Sequence, residues 1–73
     1  MASMESRTIR HAPGRYSYIL SDQTVSMVRE GPSNWVSIAA WDKPQIRRSS
    51  NKRWAEAEAF AMIKARCREI GRI

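Results

Sequence analysis

Five cations, Lys43, Arg47, Arg48, Lys52 and Arg53, fall within eleven residues that contain no carboxylate. Trp41 and Trp54 stand just beyond the two ends of the run. Guanidinium and ammonium groups at this density can neutralise phosphates and release the counterions condensed on a nucleic acid. The same residues also suit a solvated turn that keeps a small protein soluble. Arg7, Arg10 and Arg15 lie upstream in a polar segment that resembles the flexible arms entering a minor groove. The chain carries a net charge of +6, and most of the excess resides in residues 43–53. Such a balance favours anionic partners without naming one.

Other chemistries find little support. Nucleophilic catalysis needs a base held beside the nucleophile, and the sole histidine, His11, belongs to the N-terminal segment read as mobile. Cys67 falls on the apolar stripe of a helix, where a thiol packs rather than reacts. One histidine and one cysteine make no metal cluster, and a single cysteine makes no internal disulfide. Glu56 and Glu58 are two apart on a helix and point in different directions. The three glycines are scattered and form no phosphate loop. The expectation is a non-enzymatic protein without cofactor or metal. No apolar run approaches the ~20 residues of a membrane span. With no hydrophobic centre near the N-terminus to serve as a signal peptide, the chain reads as cytoplasmic.

The elements that must position these cations follow from periodicity. At 73 residues the chain is one domain. Residues 1–14 are aperiodic and end in Pro13–Gly14, so they read as a flexible basic arm, with a single domain over 15–73. "RYSYIL" and "TVSMVRE" alternate, with Tyr16, Tyr18 and Leu20 sharing one side and Val25 and Met27 another. "SDQ", "GPSN" and "DKP" are turn sequences, and "WVSIAAW" is β-branched and aromatic. "QIRRS" is a candidate fourth strand, with Pro44 at its edge. From Ser50 the period becomes helical: Ser50 or Asn51 can cap, Lys52 to Ile70 continues, and Gly71 can close the helix. Short connections imply antiparallel neighbours. The predicted fold is α+β, an antiparallel three- to four-stranded β-meander with one C-terminal α-helix packed on one face.

On that helix Ala59, Phe60, Ile63, Cys67 and Ile70 form a stripe that should face the sheet. Trp54, Ala57, Ala61 and Ala65 form an opposite ridge. The ridge could seat a second copy in a homodimer, or simply reflect alanine's helix propensity. If Val36, Ile38 and Ala40 face the helix, then Trp35, Ser37, Ala39 and Trp41 face away and set two tryptophans on an uncovered surface. A one-residue shift would swap the faces.

The stretch "VREGPSNWVSIAAWDKPQIRRSSNKRWAEAEAFA" resembles plant ethylene-response-factor-type DNA-binding domains and integrase arm-binding domains. The likeness spans residues 24–61, about half of the chain. It lies in a strand ending in Arg, a Trp opening the next, and a third strand leading into a helix that begins with acids and alanines. The resemblance implies a sheet that lies in the major groove, with Arg29, Trp35, Arg47 and Arg48 at contact positions. Ser26, Val28, Ser37 and Ala39 stand where such domains carry longer polar side chains, too short here for bidentate guanine contacts. Backbone binding is therefore the expectation, rather than base readout.

The reading that results is a small basic nucleic-acid-binding module, with DNA favoured over RNA. Lys43, Arg47, Arg48, Lys52 and Arg53 would meet phosphates, Arg7, Arg10 and Arg15 would add reach, and Trp35 and Trp41 would offer an aromatic surface. The alternative is a phage- or plasmid-encoded protein-interaction module or inhibitor docking on an acidic protein.

Overall fold

The structure, a computed structural model, describes residues 6–41 and 43–69. Its elements are β1 (Ser6–Ala12), β2 (Arg15–Leu20), β3 (Gln23–Gly31), β4 (Asn34–Ala39), β5 (Gln45–Ser49) and α1 (Lys52–Glu69). The five strands form one antiparallel sheet in the order β1-β2-β3-β4-β5. The meander with a C-terminal helix is as expected, and the strand count is five rather than three or four.

The additional strand comes from the segment read as an arm. Ser6–Ala12 pairs with β2, Thr8 opposite Tyr18 and Arg10 opposite Tyr16. The signal lay in Pro13–Gly14, which joins Ala12 to Arg15 as a two-residue turn. Proline presets the first turn angle, and Gly14 adopts φ 74°, a left-handed value that a side chain would oppose. A Cβ on Gly14 would also sit 3.3 Å from the Arg29 Cβ. Residues 1–5 of the expected arm, and Ile70 and Gly71 of the expected helix end, lie outside the described residues.

The helix begins where its cap predicts. The Asn51 side-chain carbonyl accepts from the Trp54 amide at 2.9 Å, satisfying one of the free donors of the first turn. The helix then lies across β3, β4 and β5 and reaches β2. Ala55, Ala59, Met62, Ile63 and Cys67 are buried against Tyr18, Leu20, Val25, Met27, Trp35 and Ala39. Phe60, expected on this stripe, is 43% exposed, while Ala55 and Met62 take part in its place. Phe60 lies about 100° around the helix from Ala59, on the flank, where the Lys64 Nζ sits 5.8 Å from its ring centroid.

The faces of β4 are the reverse of the expected assignment. Trp35 is 7% exposed, and Ser37 and Ala39 are fully buried. The Ser37 hydroxyl donates to the Ala55 carbonyl at 3.0 Å. Small side chains on the strand meet small ones on the helix, so the backbones approach closely and the hydroxyl is satisfied. Trp35 fills the adjoining space against Tyr16, ring centroids 5.8 Å apart.

Candidate nucleic-acid interface

β5 alternates, and this divides the basic run. Arg47 lies opposite Ser37 on the helix-covered face, and Arg48 lies opposite Val36 on the other. Arg47 Nη1 is 3.4 Å from Glu58 Oε1, and Arg48 Nη1 is 3.1 Å from Glu30 Oε1. Lys43 precedes β5 and Lys52 follows it, with about 13 Å of strand between Gln45 and Ser49. Lys43, Arg47, Arg48, Lys52 and Arg53 are thus not a single patch. They are distributed over both faces and both ends of the sheet.

The tryptophans are likewise placed otherwise than expected. Trp35 is in the core. Trp41 packs against that core, and the Arg66 guanidinium lies 4.7 Å from its ring centroid. An exposed aromatic surface made of Trp35 and Trp41 does not exist in this fold. Trp54 is exposed at 59%, and Ala57, Ala61 and Ala65 are exposed with it, so the helix ridge stands free as drawn from the sequence.

The fold assembles a different basic group, at the end of the sheet that carries the β1–β2 and β3–β4 turns and the start of α1. Arg10 sits opposite Tyr16, and Arg15 opposite Val28. Arg29 sits opposite Trp35, and Arg48 opposite Val36. The Arg29 amide donates to the Gly14 carbonyl at 2.8 Å, which ties the two turns together. The Lys52 Nζ lies 4.6 Å over the Tyr16 ring, and Arg53 follows in the first helical turn. Four strands and the helix therefore contribute Arg10, Arg15, Arg29, Arg48, Lys52 and Arg53 to one rim. Arg7 and Lys43 lie toward the other end. Arg29 also donates from Nε to the Gly31 carbonyl at 3.2 Å, which steadies its side chain across the turn.

The electrostatics of this rim are one-sided. The first turn of α1 holds no acid and two cations, Lys52 and Arg53. A helix N-terminus carries about half a positive charge, so cations there oppose the dipole. Among the described residues Glu30 and Glu58 are the carboxylates beside this rim, Glu58 sharing a surface pocket with Arg48, Ser49, Ser50 and Trp54. Glu56 begins the next turn and accepts from the Thr8 hydroxyl at 2.6 Å; Glu58 is engaged by Arg47. Exposed pairs such as Arg48–Glu30 contribute only about 0–1 kcal/mol.

His11, expected to lack a fixed position, is held on β1 with its Nε2 2.7 Å from Ser17 Oγ. A serine nucleophile would further need a group orienting the imidazole and donors for an oxyanion. Among the described residues no carboxylate bonds His11, and Ser17 sits within β2, paired on both sides by β1 and β3. Among the described residues no group of three or more His, Cys, Asp or Glu is arranged to hold a metal. No helix among them is long and apolar enough to cross a membrane.

Comparison with family models, with curated proteins and with solved structures gives no match.

Proposed function

We propose that this protein is a non-enzymatic nucleic-acid-binding module whose turn-end rim grips the phosphate backbone of duplex DNA. The observation that carries the reading is the concentration of six cations, Arg10, Arg15, Arg29, Arg48, Lys52 and Arg53, against two neighbouring carboxylates, Glu30 and Glu58. Cations set on both sides of a sheet end, rather than in a plane, can follow a curved line of phosphates. A duplex is favoured over a single strand because a stacking platform needs several exposed aromatic faces. Among the described aromatic residues beside this rim Trp54 alone is exposed, Tyr16, Tyr18 and Trp35 being buried or half-buried. The sequence resemblance to sheet-based DNA-binding domains supports the same partner. Two of its four contact positions, Arg29 and Arg48, belong to the rim; Arg47, level with Arg10 in one cross-strand row, is paired with Glu58, and Trp35 is buried. The free, buried thiol of Cys67 suits a cytoplasmic setting.

Replacing Arg10 and Arg29 together by Ala is the test, read by fluorescence anisotropy on a short duplex between about 50 and 200 mM salt. Affinity should fall on every sequence, and the log–log salt slope should flatten by roughly two units. Lys43→Ala, which removes a cation toward the other end of the sheet, should change the slope by less than half a unit. Equal effects from the two variants would refute the rim as the contact surface.

The exposed ridge of Trp54, Ala57, Ala61 and Ala65 supports self-association through α1, which would present two rims to one duplex. Ala61→Glu should then convert a dimer to a monomer in sedimentation velocity. A wild-type monomer at tens of micromolar would exclude this part of the reading.

A further inference from the structure

The face of the sheet opposite α1 has a shape that the rim does not explain. One cross-strand row runs Ile9, Ser17, Ser26, Ile38 and Ile46 from β1 to β5. Two small serines lie at its middle and isoleucines at its sides, so the row forms a shallow trough. Ile46 is 61% exposed and Ile9 38%, while Ile19, Val28 and Ile38 are half-buried. Arg7 borders the trough on the β1 side and Arg48 on the β5 side, Arg15 stands at its turn end two residues before Ser17, and Glu30 is the one carboxylate of the border among the described residues.

Three occupants can be compared. A second copy of this chain would bring Arg7, Arg15 and Arg48 against their own kind, with one carboxylate from each chain to offset them. A nucleic acid would find no aromatic ring to stack on apart from His11, which is bonded to Ser17. An amphipathic helix fits in both size and charge. A helix with its side chains is about 10–12 Å across, and the flanking isoleucines Ile9 on β1 and Ile38 on β4 are separated by three strand spacings, roughly 14 Å. Lying along the strands over Ser17 and Ser26, it would bury its apolar stripe between the isoleucines and set its flanks beside the arginines.

The geometry points to a docking groove for a helix of another protein, apolar along its contact stripe and acidic on both flanks. This surface is distinct from the DNA-binding rim except for the shared Arg15 and Arg48. Burial of the aliphatic stripe supplies the affinity, and the arginines select the acidic partner and fix its orientation.

The probe is a synthetic 18-residue helical peptide with leucines on one stripe and glutamates on both flanks, titrated into the intact protein under amide NMR. Ser17, Ser26, Ile38 and Ile46 should shift together. A control peptide with lysines in place of the glutamates should bind at least tenfold more weakly. Ile46→Asp and, separately, Ser26→Tyr should each weaken the acidic peptide at least tenfold, with thermal unfolding checked because both residues are exposed. Arg10→Ala with Arg29→Ala should retain peptide binding while losing DNA affinity, so the two proposals fail independently. Absence of shifts on this face would overturn the groove, as would equal binding of the lysine peptide. Self-association abolished by Ile46→Asp would assign the face to a second copy, and duplex DNA shifting the same four residues would assign it to nucleic acid; either outcome also overturns the proposal.

Discussion

The two faces of this sheet are built by the same strands, one residue out of step, and differ in nearly every physical respect. The face under α1 carries Tyr16, Tyr18, Leu20, Val25, Met27, Trp35, Ser37 and Ala39, nearly all of them buried. The opposite face carries Arg7, Ile9, Arg15, Ser17, Ile19, Ser26, Val28, Val36, Ile38, Ile46 and Arg48, all but the buried Val36 partly or fully open to solvent. Large aromatic and flexible side chains fill a cavity of fixed shape on one side. β-branched and short polar side chains keep strand conformation on the other, where no element of the described chain closes over them. Strand pairing is common to both faces, so the difference is an experiment in what burial adds.

The largest expected effect breaks that contrast. Leu20→Ala in the covered face should cost about 2–5 kcal/mol, measured by urea denaturation, whereas Ile46→Ala in the uncovered face should stay within about 0.5 kcal/mol. A smaller effect sharpens it. Ser37→Ala removes the hydroxyl bonded to the Ala55 carbonyl and should cost about 0.5–1.5 kcal/mol; Ser26→Ala, on the exposed side, should be near neutral. The smallest prediction concerns the turn between β2 and β3, which serves both faces. Ser21 has φ 58°, a left-handed value that costs a non-glycine residue of order 1 kcal/mol. Ser21→Gly should therefore leave stability unchanged or raise it by roughly 0.5 kcal/mol, since glycine relieves the strain but adds freedom to the unfolded chain.

A second contrast runs along the strands instead of through the sheet. The turn end gathers Arg10, Arg15, Arg29, Arg48, Lys52 and Arg53, whereas the basic run legible in the sequence extends from one end of β5 to the other. Nearness in sequence overstated the grouping of Lys43 with Lys52, and alternation turned Arg47 away from Arg48. Conversely, Arg10 and Arg29 are nineteen positions apart and meet at the same rim because two hairpins return to it. A charge map drawn along the chain becomes a surface only after the strands are folded back on one another.

Much of the architecture was nonetheless readable. The alternation of "RYSYIL" grouped Tyr16, Tyr18 and Leu20 and that of "TVSMVRE" grouped Val25 with Met27, two sets that strand pairing then places on one covered face, and a cap at Ser50 or Asn51 marked the helix start. The free ridge from Trp54 to Ala65 followed directly from helical spacing. β1 was missed because Arg7, Arg10 and His11 are polar on both faces, so its residues show no apolar alternation. Only the Pro13–Gly14 turn before "RYSYIL" indicated a hairpin. Phe60 was misplaced because it lies on the border of its stripe, on the helix flank beside Lys64, where helical period alone does not decide what is covered.

By itself the sequence determined local conformation: which segments extend, which turn, where the helix begins, and how much positive charge the chain carries. These depend on interactions within a few residues, such as caps, turn angles and period. Only the tertiary structure decided that Trp35 points inward, that the first residues join the sheet, and that distant arginines share a rim. A pleat has period two, so either face of β4 satisfied its local pattern. The choice between them rested on close packing of Ser37 against Ala55 and of Trp35 against Tyr16, contacts between residues far apart in the chain.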